Sequence, residues 1–233
     1  YYEVNHTSRN PELFVLKGKN ALGNDFFISS QNFGANTSLH NPLPYSSFNI
    51  VATEDNTIVT ITPNKNIVGQ TAGVPFTINL NRGQTYSAIA TSQSNTQHLE
   101  GSKVTSTKPI AVTLADDLVV APGYACADLI GDQTIPTNII GTEYVATKGY
   151  LLGTQEKIYI TAISNGTTVS QDGIVVATLT AGQSFQANLS NASTYIVASN
   201  PVYVYQISGI GCELGGAILP PVKCTGSLAA TYT

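Results

Sequence analysis

The stretch FNIVATEDNTIVTITP, residues 48–63, gives the clearest indication of the fold class of this chain. It contains two β-rich runs, 48–53 and 57–62, which flank a polar break of Glu54, Asp55 and Asn56. Apolar and polar residues alternate along both runs, and a period of two is typical of strands with one buried face. The stretch therefore predicts a β-hairpin.

A second copy of this pattern indicates an internal repeat. Residues 158–170, IYITAISNGTTVS, alternate in the same way around Asn165 and Gly166, a pair that favours hairpin turns because both residues tolerate positive φ. Four further landmarks recur in the same order: GNDFF (23–27) and GTEYV (141–145), LNRGQTY (80–86) and LTAGQSF (179–185), VTSTKPIAV (104–112) and IVASNPVYV (196–204), and a Cys-to-Pro segment at 126–136 and 212–220. The sequence therefore predicts an all-β fold of two tandem antiparallel β-sandwich units related by an internal repeat.

The repeat also suggests where the units divide. We place the first unit at residues 1–137 and the second at residues 138–233. Turn signals every ~8–12 residues give each unit roughly seven to nine strands. The tail at 228–233 is similar to the start of the chain at 4–7, which predicts that a further unit begins there.

The composition favours an extracellular β protein. Charged residues make up 10% of the 233 residues, far below the ~25% usual in soluble domains. The net charge of -4 argues against nucleic acid as a partner, since nucleic-acid binding needs a basic surface. No apolar run approaches the ~20 residues that span a bilayer. The absence of Met and of a signal-peptide pattern predicts a processed product or a fragment.

Several longer motifs resemble a known family. The segments ATEDNTIVTITP, GQTY and LEGSKVTSTKPIAV resemble the N-terminal domain of the IgG-Fc-binding protein family. The segments DLIGDQTIPTNIIGTEYV and QISGIGCELGGAILPPVKCTGS resemble the version found in large surface proteins of Bacteroidetes bacteria. The resemblance covers residues 20–227. It implies a secreted β-rich module of large adhesive or gliding-associated surface proteins, often exported by type IX secretion, and it supplies no active-site motif.

The three cysteines predict one disulfide. Cys212 and Cys224 bracket a Gly- and Pro-rich loop, and a bond between them would contribute ~3 kcal/mol by closing it. Cys126, at the position equivalent to Cys212, is then expected to be buried and free or paired with a neighbouring molecule. The alternative is that all three are buried thiols.

Two groups of residues are candidates for ligand binding. Asp116, Asp117, Asp128 and Asp132 could hold calcium through loop carboxylates, although Asp is also an ordinary turn residue. No other cofactor is expected. Tyr203 and Tyr205 lie on a predicted strand, where an exposed face would stack sugars or anchor a protein, and a buried face would line the core. No catalytic motif accompanies the histidines, so we expect no enzyme.

These observations predict a non-catalytic extracellular repeat module of a large bacterial surface adhesin, at the cell surface. Its partners would be neighbouring repeats, copies of itself, and extracellular glycans, glycoproteins or surfaces. Binding sites are expected on the long polar loops at 31–47, 91–100 and 115–131. The alternatives are a filament subunit that assembles by strand exchange and a calcium-dependent lectin-like binder of glycans or glycoproteins.

Overall fold

The computed structural model describes residues 2–6, 9–153 and 156–224. Its strands, in chain order, are β1 Tyr2–His6, β2 Arg9–Phe14, β3 Gly23–Phe27, β4 Ala35–Asn36, β5 Ser46–Ala52, β6 Thr57–Thr62, β7 Phe76–Leu80, β8 Thr85–Ile89, β9 Lys103–Val120, β10 Ala127–Gln133, β11 Gly141–Thr147, β12 Tyr150–Leu151, β13 Lys157–Ala162, β14 Thr167–Gln171, β15 Ile174–Leu179, β16 Ser184–Asn188, β17 Ser193–Gly211 and β18 Glu213–Ile218. Short 3-10 helices lie at Gly18–Ala21, Asn95–Gln97, Thr137–Ile139 and Val222–Cys224, and no α-helix occurs in the described part of the chain.

The strands form two eight-stranded sheets with the same strand order, although β12 pairs parallel with β17 whereas β4 pairs antiparallel with β9. The first has the order β7-β6-β9-β5-β8, with β3, β4 and β10 also paired to β9. The second has the order β15-β14-β17-β13-β16, with β11, β12 and β18 also paired to β17. Strands β11–β18 therefore repeat β3–β10 one for one, which confirms the predicted all-β fold of two tandem units. A separate hairpin of β1 and β2 precedes them.

In each unit one long strand belongs to both layers of a sandwich. The first part of β9 lies between β3 and β6, where Val104 is opposite both Phe26 and Ile61. Its second part lies between β5 and β10, where Thr113 is opposite both Asn49 and Gln133. Strand β17 makes the same passage in the second unit. Pro109 and Pro201 fall at these crossings.

Residues 48–63 form the two predicted strands, β5 and β6, but these strands do not pair as a hairpin. Alternate residues of β5 and β6 are buried, as the sequence pattern predicts. However, β5 pairs with β8 and β9, whereas β6 pairs with β7 and β9. The turn at residues 53–56 thus carries the chain from one layer to the other, and β13 and β14 are arranged in the same way. The predicted hairpins are wrong because two apolar faces can also be buried by packing against each other across a sandwich.

The recurring glycine of the GNDFF and GTEYV landmarks has a packing reason. A Cβ on Gly23 would collide with the ring of Pro136, and a Cβ on Gly141 would collide with the ring of Pro221. Each unit therefore closes the same way, with the proline after its last strand seated on the glycine that opens its first sandwich strand.

Two apolar clusters fill the molecule. One is the core of the second unit and includes Tyr144, Ile160 and Val204. The other begins in the core of the first unit and continues without a break into β13, β17 and β18 of the second. Its members from the second unit are Leu151, Tyr159, Tyr203, Tyr205, Ile207, Leu214 and Ile218. One outer face of the second unit is therefore buried against the first.

Candidate functional site

A disulfide joins the two units at their equivalent cysteines. Cys126 is bonded to Cys212, with their Cα atoms 5.8 Å apart and a separation of 86 positions in sequence. The predicted bond from Cys212 to Cys224 is therefore wrong, as is the free thiol predicted at Cys126. The side chain of Cys224 and the tail at 228–233 lie outside the described residues. The prediction considered only the short loop between Cys212 and Cys224. The packing of the two units instead brings Cys126 next to Cys212.

Strands β10 and β18 run along this junction, where backbone N–H groups of β18 donate hydrogen bonds to carboxylates of β10. The backbone N–H of Leu214 donates to Asp128 Oδ2 at 2.9 Å, and that of Ile218 donates to Asp132 Oδ2 at 2.8 Å. Each pair is again separated by 86 residues, the spacing of the disulfide. Equivalent positions of the repeat thus meet along the whole seam.

The two candidate ligand tyrosines are buried in the same junction. Tyr203 is 0% exposed and Tyr205 is 1% exposed. The Tyr203 hydroxyl donates to the backbone carbonyl of Ile135 in the first unit at 2.7 Å. Burial raises the pKa values of Tyr203 and Tyr159, so both remain neutral. The alternative in which these tyrosines line a core is therefore the one observed, and the exposed ligand-binding face is wrong, because the other unit covers it.

The four candidate calcium ligands are not brought together. Asp116 is buried under the loops of the first unit, and its neighbour Asp117 points to the opposite side of β9 and is half-buried. Asp128 and Asp132 are used at the seam, where Asp132 also forms an ion pair with Lys17. Within the described ranges, none of these four belongs to a group of three or more acidic, histidine or cysteine side chains close enough to share a cation. The predicted calcium site is therefore not assembled.

Asp116 instead belongs to a buried polar cluster with Gln31, Asn36 and His98. Asp116 Oδ2 lies 3.0 Å from His98 Nδ1 and accepts a hydrogen bond from Gln31 Nε2 at 2.6 Å. Asp116 Oδ1 accepts from Asn36 Nδ2 at 3.0 Å. His98 Nε2 lies 3.0 Å from Asn36 Oδ1. The three loops at 31–47, 91–100 and 115–131 thus meet at one hydrogen-bonded group.

Both ring nitrogens of His98 have polar partners. Nε2 lies next to the Asn36 side-chain oxygen, whereas Nδ1 lies next to the Asp116 carboxylate, the Gln31 carbonyl and, at 2.8 Å, the Gln31 side-chain nitrogen. Burial by itself lowers the pKa of His98, but the hydrogen bond and charge of Asp116 outweigh it and the pKa is raised. With His98 0% exposed, the cluster holds the loops together and is not positioned to meet a substrate.

A polar cleft opens at the edge of the unit junction. Its volume is about 540 Å³, and it is lined by Asn32, Asn64 and Glu100 of the first unit and by residues from the 178–184 turn of the second. Glu100 is 9% exposed, and its Oε2 atom has no hydrogen-bond partner. Burial raises the pKa of Glu100 to about 7, although the charge of Lys65 lowers it. Glu100 lies at the end of a loop that the sequence marks as a candidate, but no local signal singles it out, since the cleft exists only between packed units.

The fold and the junction together define a module of two tandem β-sandwich units. The family model described as IgGFc binding protein matches residues 13–226, and the chain belongs to this family. Membership indicates an extracellular, non-enzymatic binding or adhesion-type module. No curated protein and no solved structure matches the chain. In the described part of the chain, no helix has the length and hydropathy to cross a membrane.

Proposed function

We propose that this chain is a non-catalytic module of a large bacterial surface adhesin that attaches cells to surfaces or supports gliding. The observation that carries the proposal is the junction, where a disulfide and a continuous apolar cluster join two sandwiches. Such a joint transmits load without requiring the units to separate. The motifs similar to those of Bacteroidetes surface proteins, with their implied type IX export, support the bacterial context.

Adhesion under flow tests this proposal. Beads coated with the oxidised chain are passed over surfaces coated with mucin-type glycoprotein, IgG Fc or albumin. We expect retention on a glycoprotein surface above the albumin background. We also expect the double variant Cys126→Ser/Cys212→Ser to detach at lower shear, because its units are no longer covalently joined. Retention of wild-type beads no better than on albumin would contradict an adhesive role.

Assembly by strand exchange remains the alternative prediction. The candidate donor strand at the start of the chain pairs internally, since Tyr2 is opposite Phe14 in the β1–β2 hairpin. The second candidate strand, at 228–233, lies outside the described residues. Sizing of the chain with residues 1–16 removed separates the two functions, because adhesion needs no polymer whereas a filament subunit would lose its assembly.

A further inference from the structure

We propose that the polar cleft between the two units is a binding site for a neutral saccharide, with the Glu100 carboxyl accepting hydrogen bonds from sugar hydroxyls. This inference rests on the proposed function, because it names the class of ligand that an adhesive module would hold. The site differs from the acidic and tyrosine positions considered from the sequence, and it requires no calcium.

The carboxyl group of Glu100 has an acceptor atom, Oε2, that no group in the described part of the chain uses. The side chain is nine-tenths buried, and although Asn32 hydrogen-bonds to its carboxyl, the Oε2 atom has no hydrogen-bond partner. A buried polar atom without a partner costs free energy, and such atoms in native proteins call for a specific explanation. Rotation about the last side-chain bond of glutamate is soft, so Oε2 can turn into the cleft that Glu100 lines. A donor on a ligand would then supply the missing bond.

The wall of the cleft carries mainly amide and hydroxyl side chains. Asn32 and Asn64 line it from the first unit, and Thr178, Gln183 and Ser184 line it from the second. Amide and hydroxyl groups both donate and accept hydrogen bonds, as sugar hydroxyls do. The volume of about 540 Å³ falls within the roughly 300–1,000 Å³ of small-molecule sites.

The charges around Glu100 favour a neutral ligand over a cation. Lys65 already acts electrostatically on Glu100 and would repel a second positive charge. The charge of His98 acts in the same direction as that of Lys65, because it also lowers the pKa of Glu100. A polyhydroxyl ligand gains hydrogen bonds at Glu100 without meeting that repulsion.

The two walls of the cleft are held in place before any ligand binds. The two walls come from different units, and Gly101 of the first lies in close contact with Gly182 of the second beside the cleft. The disulfide and the shared apolar cluster fix these walls relative to each other. A ligand therefore meets a site whose conformational ordering is already complete.

Ligand-detected NMR and calorimetry on the full oxidised chain test the inference. The probes are methyl glycosides of glucose, galactose, mannose, fucose and N-acetylglucosamine at millimolar concentration, with ethylammonium and calcium chloride as cation probes. We expect one or more glycosides to bind and Glu100→Gln to weaken binding by about tenfold or more. Glu100→Gln removes no packing volume, so its melting temperature should be no lower than that of the wild type.

The repeat supplies a matched control. Gln183 Oε1 accepts the backbone N–H of Thr180 at 2.9 Å, and Gln84 Oε1 accepts that of Asn81 at 2.7 Å in the equivalent turn of the first unit. Only Gln183 lines the cleft. We therefore expect Gln183→Ala to weaken glycoside binding severalfold and Gln84→Ala to leave it unchanged, although both lose the same local hydrogen bond.

Three results would overturn the saccharide site: binding of a cation probe without any glycoside, no binding of any probe, or glycoside binding that Glu100→Gln and Gln183→Ala leave intact. The flow assay separates this inference from the proposed function. Beads that adhere equally well with both cleft variants would refute the cleft as the adhesive site while leaving adhesion in place. Glycoside binding at Glu100 with no bead retention would refute adhesion and leave the cleft.

Discussion

At the scale of single residues, the buried polar side chains of the first unit explain how its long loops are ordered. Buried charges are tolerated when they are paired and hydrogen-bonded. His98 and Asp116 meet that condition, because Gln31 and Asn36 complete the partners of both. The histidine that carried no motif in the sequence is thus the centre of the loop end of the sandwich.

Removal of the Asp116 carboxylate should be strongly destabilising. Asp116→Ala leaves His98 charged or unpaired in the interior, and loss of one partner of a buried pair costs roughly 3–5 kcal/mol. Asp117→Ala is the control, since Asp117 is adjacent but contributes its backbone carbonyl to Asn36. Urea unfolding measures both variants. Equal losses in the two variants would contradict the role assigned to the cluster.

Stability should decrease as the pH rises through neutrality. Folding raises the pKa of Glu100 from 4.5 to about 7 and also raises that of His98, so the folded chain favours both protonated forms. This contribution is complete below the unfolded pKa and is lost as pH rises through the folded pKa. For Glu100 the loss falls between pH 4.5 and about 7 and is on the order of 3 kcal/mol at most.

Urea titrations across this range measure the effect. Glu100→Gln cannot titrate, so its unfolding free energy should vary less with pH than that of the wild type, and the residual slope reports His98. A wild-type profile that rises from pH 4.5 to about 7 would contradict the sign.

At the scale of strands, the seam of β10 and β18 holds the molecule together. The double variant Cys126→Ser/Cys212→Ser opens a loop of 86 residues, for which the chain-entropy model gives a loss of about 4.5 kcal/mol. Cys224→Ser should have no comparable effect, because Cys212 is already bonded. Thermal melts with and without reductant check this. Destabilisation by Cys224→Ser equal to that of the double variant would favour the pairing expected from the sequence.

Two tyrosines of the same strand, β17, should respond differently to loss of the hydroxyl. Tyr203→Phe leaves the buried carbonyl of Ile135 without its donor and should cost about 1–3 kcal/mol. The Tyr195 hydroxyl donates to Glu143 on the surface, so Tyr195→Phe should change stability by less than about 0.5 kcal/mol. Chemical denaturation of both variants measures the difference. Similar small losses of unfolding free energy in both variants would contradict a stabilising role for the Tyr203 hydroxyl at the junction.

At the scale of the whole molecule, the continuous apolar cluster should make the two units unfold together. The fragment 138–233 alone would expose Tyr159, Tyr203, Tyr205 and Ile207, all buried in the intact chain. We expect the intact chain to melt in one calorimetric transition and the fragment to melt at lower temperature or remain unfolded. Two separate transitions in the intact chain, one matching the fragment, would contradict this coupling and favour independent domains at the proposed boundary.

Local signals in the sequence were sufficient to predict the strands, the internal repeat and the family. These follow from local signals: alternation in residues 48–63 and 158–170, turn residues between runs, and motifs that can be matched in order along the chain. It also placed three loops that converge in the structure, because long polar segments of a sandwich gather at its ends.

Which strands and which units contact each other depends on the packing of the whole chain. Alternation marks a face as apolar, but whether β5 pairs with β6 or faces it across the core depends on where β9 runs. The same holds between the units: Cys126 meets Cys212, and Tyr203 is covered, because the second sandwich packs on the first. These contacts join residues far apart in sequence, and their free energy comes from apolar area buried on association, which no local pattern records.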